Sequence, residues 1–461
     1  FPSASVAWRV SEEPWMKWSE EWLDNFKIRL SAGSMGNGNV SPYSYTSEMT
    51  VSTADDIVLG GSYPSYTSVG STVPVSLTWE KSTTYDVGLD LDFFNNRLSV
   101  SGDYYRRYTT DMYTASVALP AVYGTGSPKG NNAEMKTDGW ELSLSWRDSF
   151  KLGGKPFDYS IKAMVWDSKS VITKYVNDTG SLGTVKGFIE NGGSPSSYYV
   201  GMTVGEIWGY TVAGLFRDQA DIDSSAIHDF VQASDKVTRP GQVKIADLDG
   251  NGFIDPGNFA VDDHGDLRII GNQSPRYRYG VNLSARWNGI GLSVFLQGVG
   301  ARDWYPGSDA GMFWGKYGRP FFALIPSIHN YTDDMYSAER NNWDTAYWPR
   351  MTTYQSNGTK NWTRLLEIPN TRYIQSAAYL RVKNIQLDYS FPKHICSAIR
   401  LQGLKIYVNA ENLFTFTPLH KYAPNFDPEA LGYDTDFSST AGDGYTYPVL
   451  KSVTLGVNIT F

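Results

Sequence analysis

The sequence predicts an all-β protein, a transmembrane antiparallel β-barrel built from about eleven strands. Three observations carry this. Apolar and polar residues alternate through hairpins whose registers agree. Short turns alternate with long connections. The last strand is apolar on one side and stops on an aromatic residue.

Composition sets the frame. On length alone, 461 residues suggest two or three ordinary domains. Yet aromatics make up 15% of the chain (31 Tyr, 21 Phe, 15 Trp) while hydrophobics reach only 41%. No stretch approaches the run of roughly 20 apolar residues that a spanning helix needs. In a membrane barrel only every second residue meets lipid, so apolar residues are spread thinly. A net charge of −8 argues against nucleic acid as a partner. The single cysteine, Cys396, excludes a disulfide framework and reads as small filler. The chain opens on Phe1 without a signal peptide, which reads as a processed or broken chain, or one lacking its earlier part.

The clearest hairpin spans 276–297. Tyr277, Tyr279, Val281, Leu283, Ala285 and Trp287 alternate with Arg276, Arg278, Gly280, Asn282, Ser284 and Arg286. Asn288-Gly289 is a two-residue turn signal. Ile290, Leu292, Val294 and Leu296 then alternate with Gly291, Ser293, Phe295 and Gln297. Residues flanking such a turn pair and share a face, so Trp287 and Ile290 put both apolar sets on one side. A second hairpin turns at Asn95-Asn96 and predicts Phe93 opposite Leu98, again with one apolar side. A soluble sandwich also alternates.

Loop lengths favour the barrel. Short turns alternate with long connections at about 36–76, 173–271, 307–371 and 417–446. Outer-membrane barrels have short periplasmic turns and long extracellular loops, whereas compact domains rarely carry several long irregular loops. The predicted strands are 1–10, 26–35, 77–94, 97–112, 136–147, 157–172, 272–287, 290–306, 372–391, 403–416 and 447–461. The first runs down toward the periplasm. Segment 11–25 is expected to be a short helix with Trp15, Trp18 and Trp22 at the interface, as in aromatic belts. A parity shift between Val382 and Ile385 predicts a bulge near Asn384.

In the final strand Val449, Val453, Leu455, Val457, Ile459 and Phe461 alternate with Ser452, Thr454, Gly456, Asn458 and Thr460, Lys451 being the exception. So apolar an edge is an aggregation hazard in a soluble protein. It is similar to the C-terminal signal read by the outer-membrane barrel assembly machinery.

These residues together resemble the C-terminal half of SusC/RagA-type TonB-dependent transporters. The resemblance runs through essentially the whole chain. It includes Phe26-Lys27-Ile28-Arg29-Leu30, Trp79-Glu80-Lys81 before Gly88-Leu89-Asp90, and Ile269-Ile270-Gly271-Asn272. It also includes Phe295-Leu296-Gln297-Gly298, Tyr379-Leu380-Arg381-Val382-Lys383-Asn384, Asn412-Leu413-Phe414-Thr415 and Asp427-Pro428-Glu429. The resemblance implies a 22-stranded barrel plugged by an N-terminal domain, an outer-membrane location, and import of large nutrients, oligosaccharides first. It implies a SusD-like surface lipoprotein as partner and energy from the TonB complex. No plug is expected within this chain. A downward first strand fits strand twelve of such a barrel. Eleven strands alone leave two open edges in lipid, so a separate polypeptide or a segment outside this chain is expected to supply the remaining barrel half and plug.

One constellation suggests chemistry. Asp247-Leu248-Asp249-Gly250-Asn251-Gly252-Phe253-Ile254-Asp255, in the 247–258 loop of the 173–271 excursion, has calcium-loop spacing. Oxygen donors stand at positions one, three, five and nine, with glycine at six and the Phe253 carbonyl at seven. Position twelve is Asn258 where an acid belongs; Asp266, Asp262 or Asp263 could complete the site. Hard oxygen ligands suit Ca²⁺, with Mg²⁺ second, in a structural role. The five histidines lack zinc-ligand spacing, and no enzyme is expected. Tyr63, Tyr66, Trp343 and Trp348 in the long loops could stack on sugar rings, although packing among the loops is the plainer expectation. The competing reading is a soluble, calcium-binding all-β carbohydrate-binding or structural module.

Overall fold

The structure is a computed structural model. It describes residues 1–38, 46, 49–54, 56–70, 73, 77–115, 122, 129–177, 180–183, 198–227, 238–306, 313, 334–350, 368–431 and 449–461. Eleven antiparallel strands form one sheet, each bonded to the next in chain order. They are Ser3–Arg9, Leu23–Asn37, Glu80–Phe93, Leu98–Ala115, Lys129–Leu152, Lys155–Lys174, Arg276–Trp287, Ile290–Ala301, Tyr379–Ser390, Gly403–Phe416 and Ser452–Thr460. Among the described residues the sheet is not closed. The first and last strands each pair on one side only.

The registers follow the hydrophobic pattern. Trp287 pairs with Ile290 and Val281 with Leu296. Phe93 pairs with Leu98, and Phe94, Asn95 and Asn96 turn the chain in left-handed conformations. Near Asn384, Phe295 pairs with Asn384 and Leu296 with Val382, which leaves Lys383 as the bulged residue. Without that extra residue the apolar face would switch sides along the strand.

One face of the sheet is an apolar band. In the Arg276–Trp287 strand it runs from Tyr279 through Val281, Leu283 and Ala285 to Trp287. Neighbouring positions are Val165, Ala163, Ile161, Tyr159 and Phe157. Nine residues of tilted strand suit the hydrocarbon thickness. Aromatics bound the band at both ends. Near the short turns stand Trp146, Phe157, Trp287 and Tyr389, and Trp22 stacks on Phe93. Toward the long connections stand Tyr104 and Trp140, a cross-strand pair. Two residues further on, the same face carries charge: Arg106 and Lys136 both pair with Asp138. Charge on the lipid face is costly at mid-bilayer and cheap at the interface, so this row marks the band's upper edge. The opposite face is polar. Arg29 bridges Asp90 and Asp103, each at 2.9 Å, and a Cβ on Gly88 would collide with this cluster.

Several boundaries differ from the sequence reading. The strands predicted to end at 147 and start at 157 run on to Leu152 and Lys155, around Gly153-Gly154, both with positive φ. Segment 11–25 is not an α-helix but two 3₁₀ turns, Val10–Glu12 and Pro14–Ser19, with the strand beginning at Leu23. Its tryptophans are exposed as expected. Leu267–Asn272 leaves the wall to pair with Glu206–Tyr210, so that wall strand starts at Arg276. Asp303–Trp304 and Gln375–Ser376 likewise form their own pair above the wall.

The long connections carry a core of their own. Tyr210, Leu215, Val243 and Leu267 from the 173–271 excursion pack with Trp304, Trp348, Tyr373, Leu419 and Phe426. Three connections leaving the same rim bury apolar surface that none could bury alone. They form an ordered cap where irregular loops were expected.

Candidate functional site

The 247–258 loop folds tightly because its side chains bond its own backbone. Asp247 accepts from the Gly250 and Gly252 amides, at 2.6 and 2.9 Å. Asn251 Oδ1 accepts from Phe253 N at 2.7 Å. Gly250 and Gly252 both take positive φ, the conformation needed for the turn. Asn251 Nδ2 ties Asp249 to Asp255, at 3.1 and 2.9 Å. Asp255 Oδ1 accepts from Gly257 N at 2.7 Å.

Asp266 comes in from beyond the insertion and is fully buried. It accepts from Leu248 N at 2.6 Å and Asp255 N at 3.1 Å, bracing both ends of the loop. Asp247, Asp249 and Asp266 each bring a carboxylate oxygen within 4.8 Å of the others. Burial, with the charges of Asp249 and Asp247 adding to it, pushes the Asp266 carboxyl above its usual range despite those two amides. Asn258, at position twelve, instead donates to the Asp263 carboxylate. The donor set, all oxygen with one ligand deeply buried, fits a hard divalent cation.

The four loop aromatics separate into two groups. Trp348 is 1% exposed and packs on Phe313, Tyr347 and Tyr373. Its indole is core, so it has no face left for a sugar. Trp343 also leans on this core. Tyr63 and Tyr66 are 56% and 52% exposed. Tyr66 lies on a hairpin formed by Met49–Thr53 and Ser65–Val69.

Sequence reasoning missed a buried clamp. The Arg381 side chain is 3% exposed and binds the Asp427 carboxylate at 2.5 Å and the Glu429 carboxylate. Lys383 reaches Glu429 at 2.8 Å. Arg302 donates to the carbonyls of Pro428 and Leu431, at 3.2 and 3.0 Å. Burial raises the Asp427 carboxyl, but hydrogen bonds from Glu429 N, Arg381 and Val449 N outweigh it and hold the group below its usual range. The signal was present as two charged triplets, Arg381-Val382-Lys383 and Asp427-Pro428-Glu429. Their pairing across 46 residues was not legible.

The comparisons with known proteins agree with this architecture. The family model described as TonB dependent receptor-like, beta-barrel, matches residues 1–413. TonB-dependent receptor P3 of Formosa agariphila is 26% identical over 468 residues, covering all of this chain and 42% of that relative. TonB-dependent receptor SusC of Bacteroides thetaiotaomicron is 24% identical over 469 residues, covering all of this chain and 40% of that protein. The chain thus spans well under half the length of the curated relatives it matches. The solved RagAB peptide transporter shares the fold, with TM-score 0.67 at 19% identity over all of this chain and 43% of that one. Such proteins are receptors rather than enzymes, and they sit in the outer membrane. A family match over residues 1–413, on a sheet with one lipid-compatible face and one wet face, makes this chain a member of the TonB-dependent receptor-like β-barrel family, a barrel half of the SusC/RagA type.

Proposed function

We propose that this chain forms one half of the wall and mouth of an outer-membrane importer of large nutrients, oligosaccharides first. The remaining barrel half and plug, a SusD-like surface lipoprotein over the mouth, and the TonB complex complete the machine. The observation that supports import is the wet inner face, with charged groups such as Arg29, Asp90 and Asp103 lining it. A purely structural barrel this size has no reason to keep such a face open. The soluble-module reading lacks support, because the apolar band would need a cover in water. The test is uptake of fluorescent oligosaccharides by cells with and without the full-length gene. Loss on deletion and return on complementation support import. Unchanged uptake of every oligosaccharide offered contradicts it.

In this reading Asp247, Asp249, Asn251, Asp255 and Asp266 hold Ca²⁺, or Mg²⁺ less well, with the Phe253 carbonyl as a further ligand. The ion would supply positive charge to a cluster of carboxylates and pin the 173–271 excursion. Terbium luminescence on the full-length protein, displaced by Ca²⁺ and abolished by Asp266→Asn, tests the assignment. Equal luminescence from that variant contradicts it.

A further inference from the structure

Among the described residues, two cavities lie along the inner face of the wall. The one near the short turns has a volume of about 700 Å³. Arg97, Arg147, Arg286 and Lys405 line it against Asp148, Asp158 and Asp388. Its charges are partly paired, with Arg97–Asp148 at 3.6 Å and Lys405–Asp388 at 3.3 Å. The second cavity, of about 510 Å³, lies at the mouth beneath the cap. Arg276, Arg278 and Arg302 line it, and Glu429 is the one carboxylate among its lining residues; Lys169, at its edge, pairs across the strands with Asp138 on the lipid-facing side. Glu429 is already held by Arg381 and Lys383. Arg276 is held by Asp167.

Arg278 stands apart from these. Strand alternation puts it on the inner face, and it is exposed. Among the described residues no carboxylate lies within ion-pair range of it. Its cross-strand partner is Trp166, half-buried on the same face. Glu141 lies on the far side of Trp166, one more strand away. Ser168, Ser170 and Thr203 add hydroxyls to the cavity.

We propose that this upper cavity is a subsite for an anionic group, a carboxylate or a sulfate, on an acidic oligosaccharide. Arg278 takes the anion, the hydroxyls accept and donate around it, and Trp166 offers an aromatic face to the sugar ring. The Arg278 guanidinium, with no carboxylate in ion-pair range among the described residues, draws the anion in and disfavours cations. This rests on the import reading above and names the substrate class for it.

The test uses the full-length protein with its partner, purified in detergent and titrated calorimetrically. The probes are tetragalacturonate, a sulfated galactan tetrasaccharide, neutral maltotetraose and tetraglutamate. An acidic sugar binds more tightly than the neutral one, and added salt weakens only the acidic sugar. Arg278→Ala loses ~10- to 100-fold in that affinity, the range for a lost hydrogen bond to a charged group, and leaves the neutral sugar unchanged. Arg278→Lys retains part of the preference, and the stronger of the two acidic sugars identifies carboxylate or sulfate as the anion. Equal affinities for acidic and neutral sugars, or an unaffected Arg278→Ala, overturn the subsite and leave import standing. Arg278-dependent binding of tetraglutamate alone overturns the sugar assignment. Binding of no probe, together with unimpaired uptake in the deletion strain, overturns both readings.

Discussion

Replacing Arg381 with methionine keeps the apolar stem and deletes the charge that holds the 418–431 segment to the wall. The loss can be followed through the structure. Arg381 and Asp427 are 3% and 7% exposed, so removing the guanidinium strands a carboxylate away from water. Breaking a buried pair from one side costs about 3–5 kcal/mol. Asp427 keeps the amides of Glu429 and Val449, at 2.9 and 3.1 Å, and Glu429 keeps Lys383. The lower end, about 3 kcal/mol, is therefore expected. At 1.36 kcal/mol per tenfold this is roughly a 150-fold larger locally open population. Hydrogen exchange on the full-length protein in detergent reads it directly. Amides of 418–431 accelerate, while those of the Tyr379–Ser390 strand, held by their ladders, do not. Arg381→Met with Asp427→Asn restores most of the protection, because no buried charge is then left unpaired. Unchanged exchange in 418–431 for the single variant refutes the clamp. The sign with pH is also fixed. Asp427 is depressed in the folded state, so its contribution is full above its unfolded value of about 3.9 and fades as pH falls through the folded one. The wild-type clamp loosens only below about pH 4.

Other outcomes follow from burial and the membrane. Trp348→Ala opens a void in the cap core and costs about 3–5 kcal/mol there, seen as faster protease cleavage of the cap; Tyr66→Ala, on an exposed ring, leaves cleavage unchanged. Saturating Ca²⁺ at 100 times its Kd stabilises the cap by about 2.7 kcal/mol, and Asp266→Asn removes that shift in a calcium-dependent melt. Leu283→Arg puts a charge at the centre of the lipid band and costs about 2–4 kcal/mol, lowering folding yield in micelles; Ser284→Arg, one residue on and facing the lumen, folds normally.

The wall was legible because strand alternation is local. Residues 276–297 contain their own register, turn and facing in one window, and the bulge at Lys383 announced itself as a parity shift. Where the local signal was interrupted, the reading faltered. Asp148 breaks the apolar alternation of Trp146, Phe150 and Leu152, which hid five more residues of strand, although Gly153-Gly154 is itself a hairpin turn signal. The cap was not legible at all. Its core joins Tyr210, Trp304, Trp348 and Leu419, residues far apart in sequence with no shared period. The metal loop sits between these cases. Spacing identified Asp247 through Asp255, while Asp266 is brought in by an insertion whose path only the fold decides.

The most direct test of the account concerns which face of the wall meets lipid. In a Cys396→Ser background of the full-length protein, single cysteines are placed in turn at 279–287 and spin-labelled in a bilayer. Collision with oxygen, which partitions into lipid, is compared with collision with a water-soluble nickel chelate. A two-residue period is expected, with oxygen maxima at Val281, Leu283 and Ala285 and nickel maxima at Gly280, Asn282 and Ser284. The opposite phase, or no alternation across these positions, contradicts it.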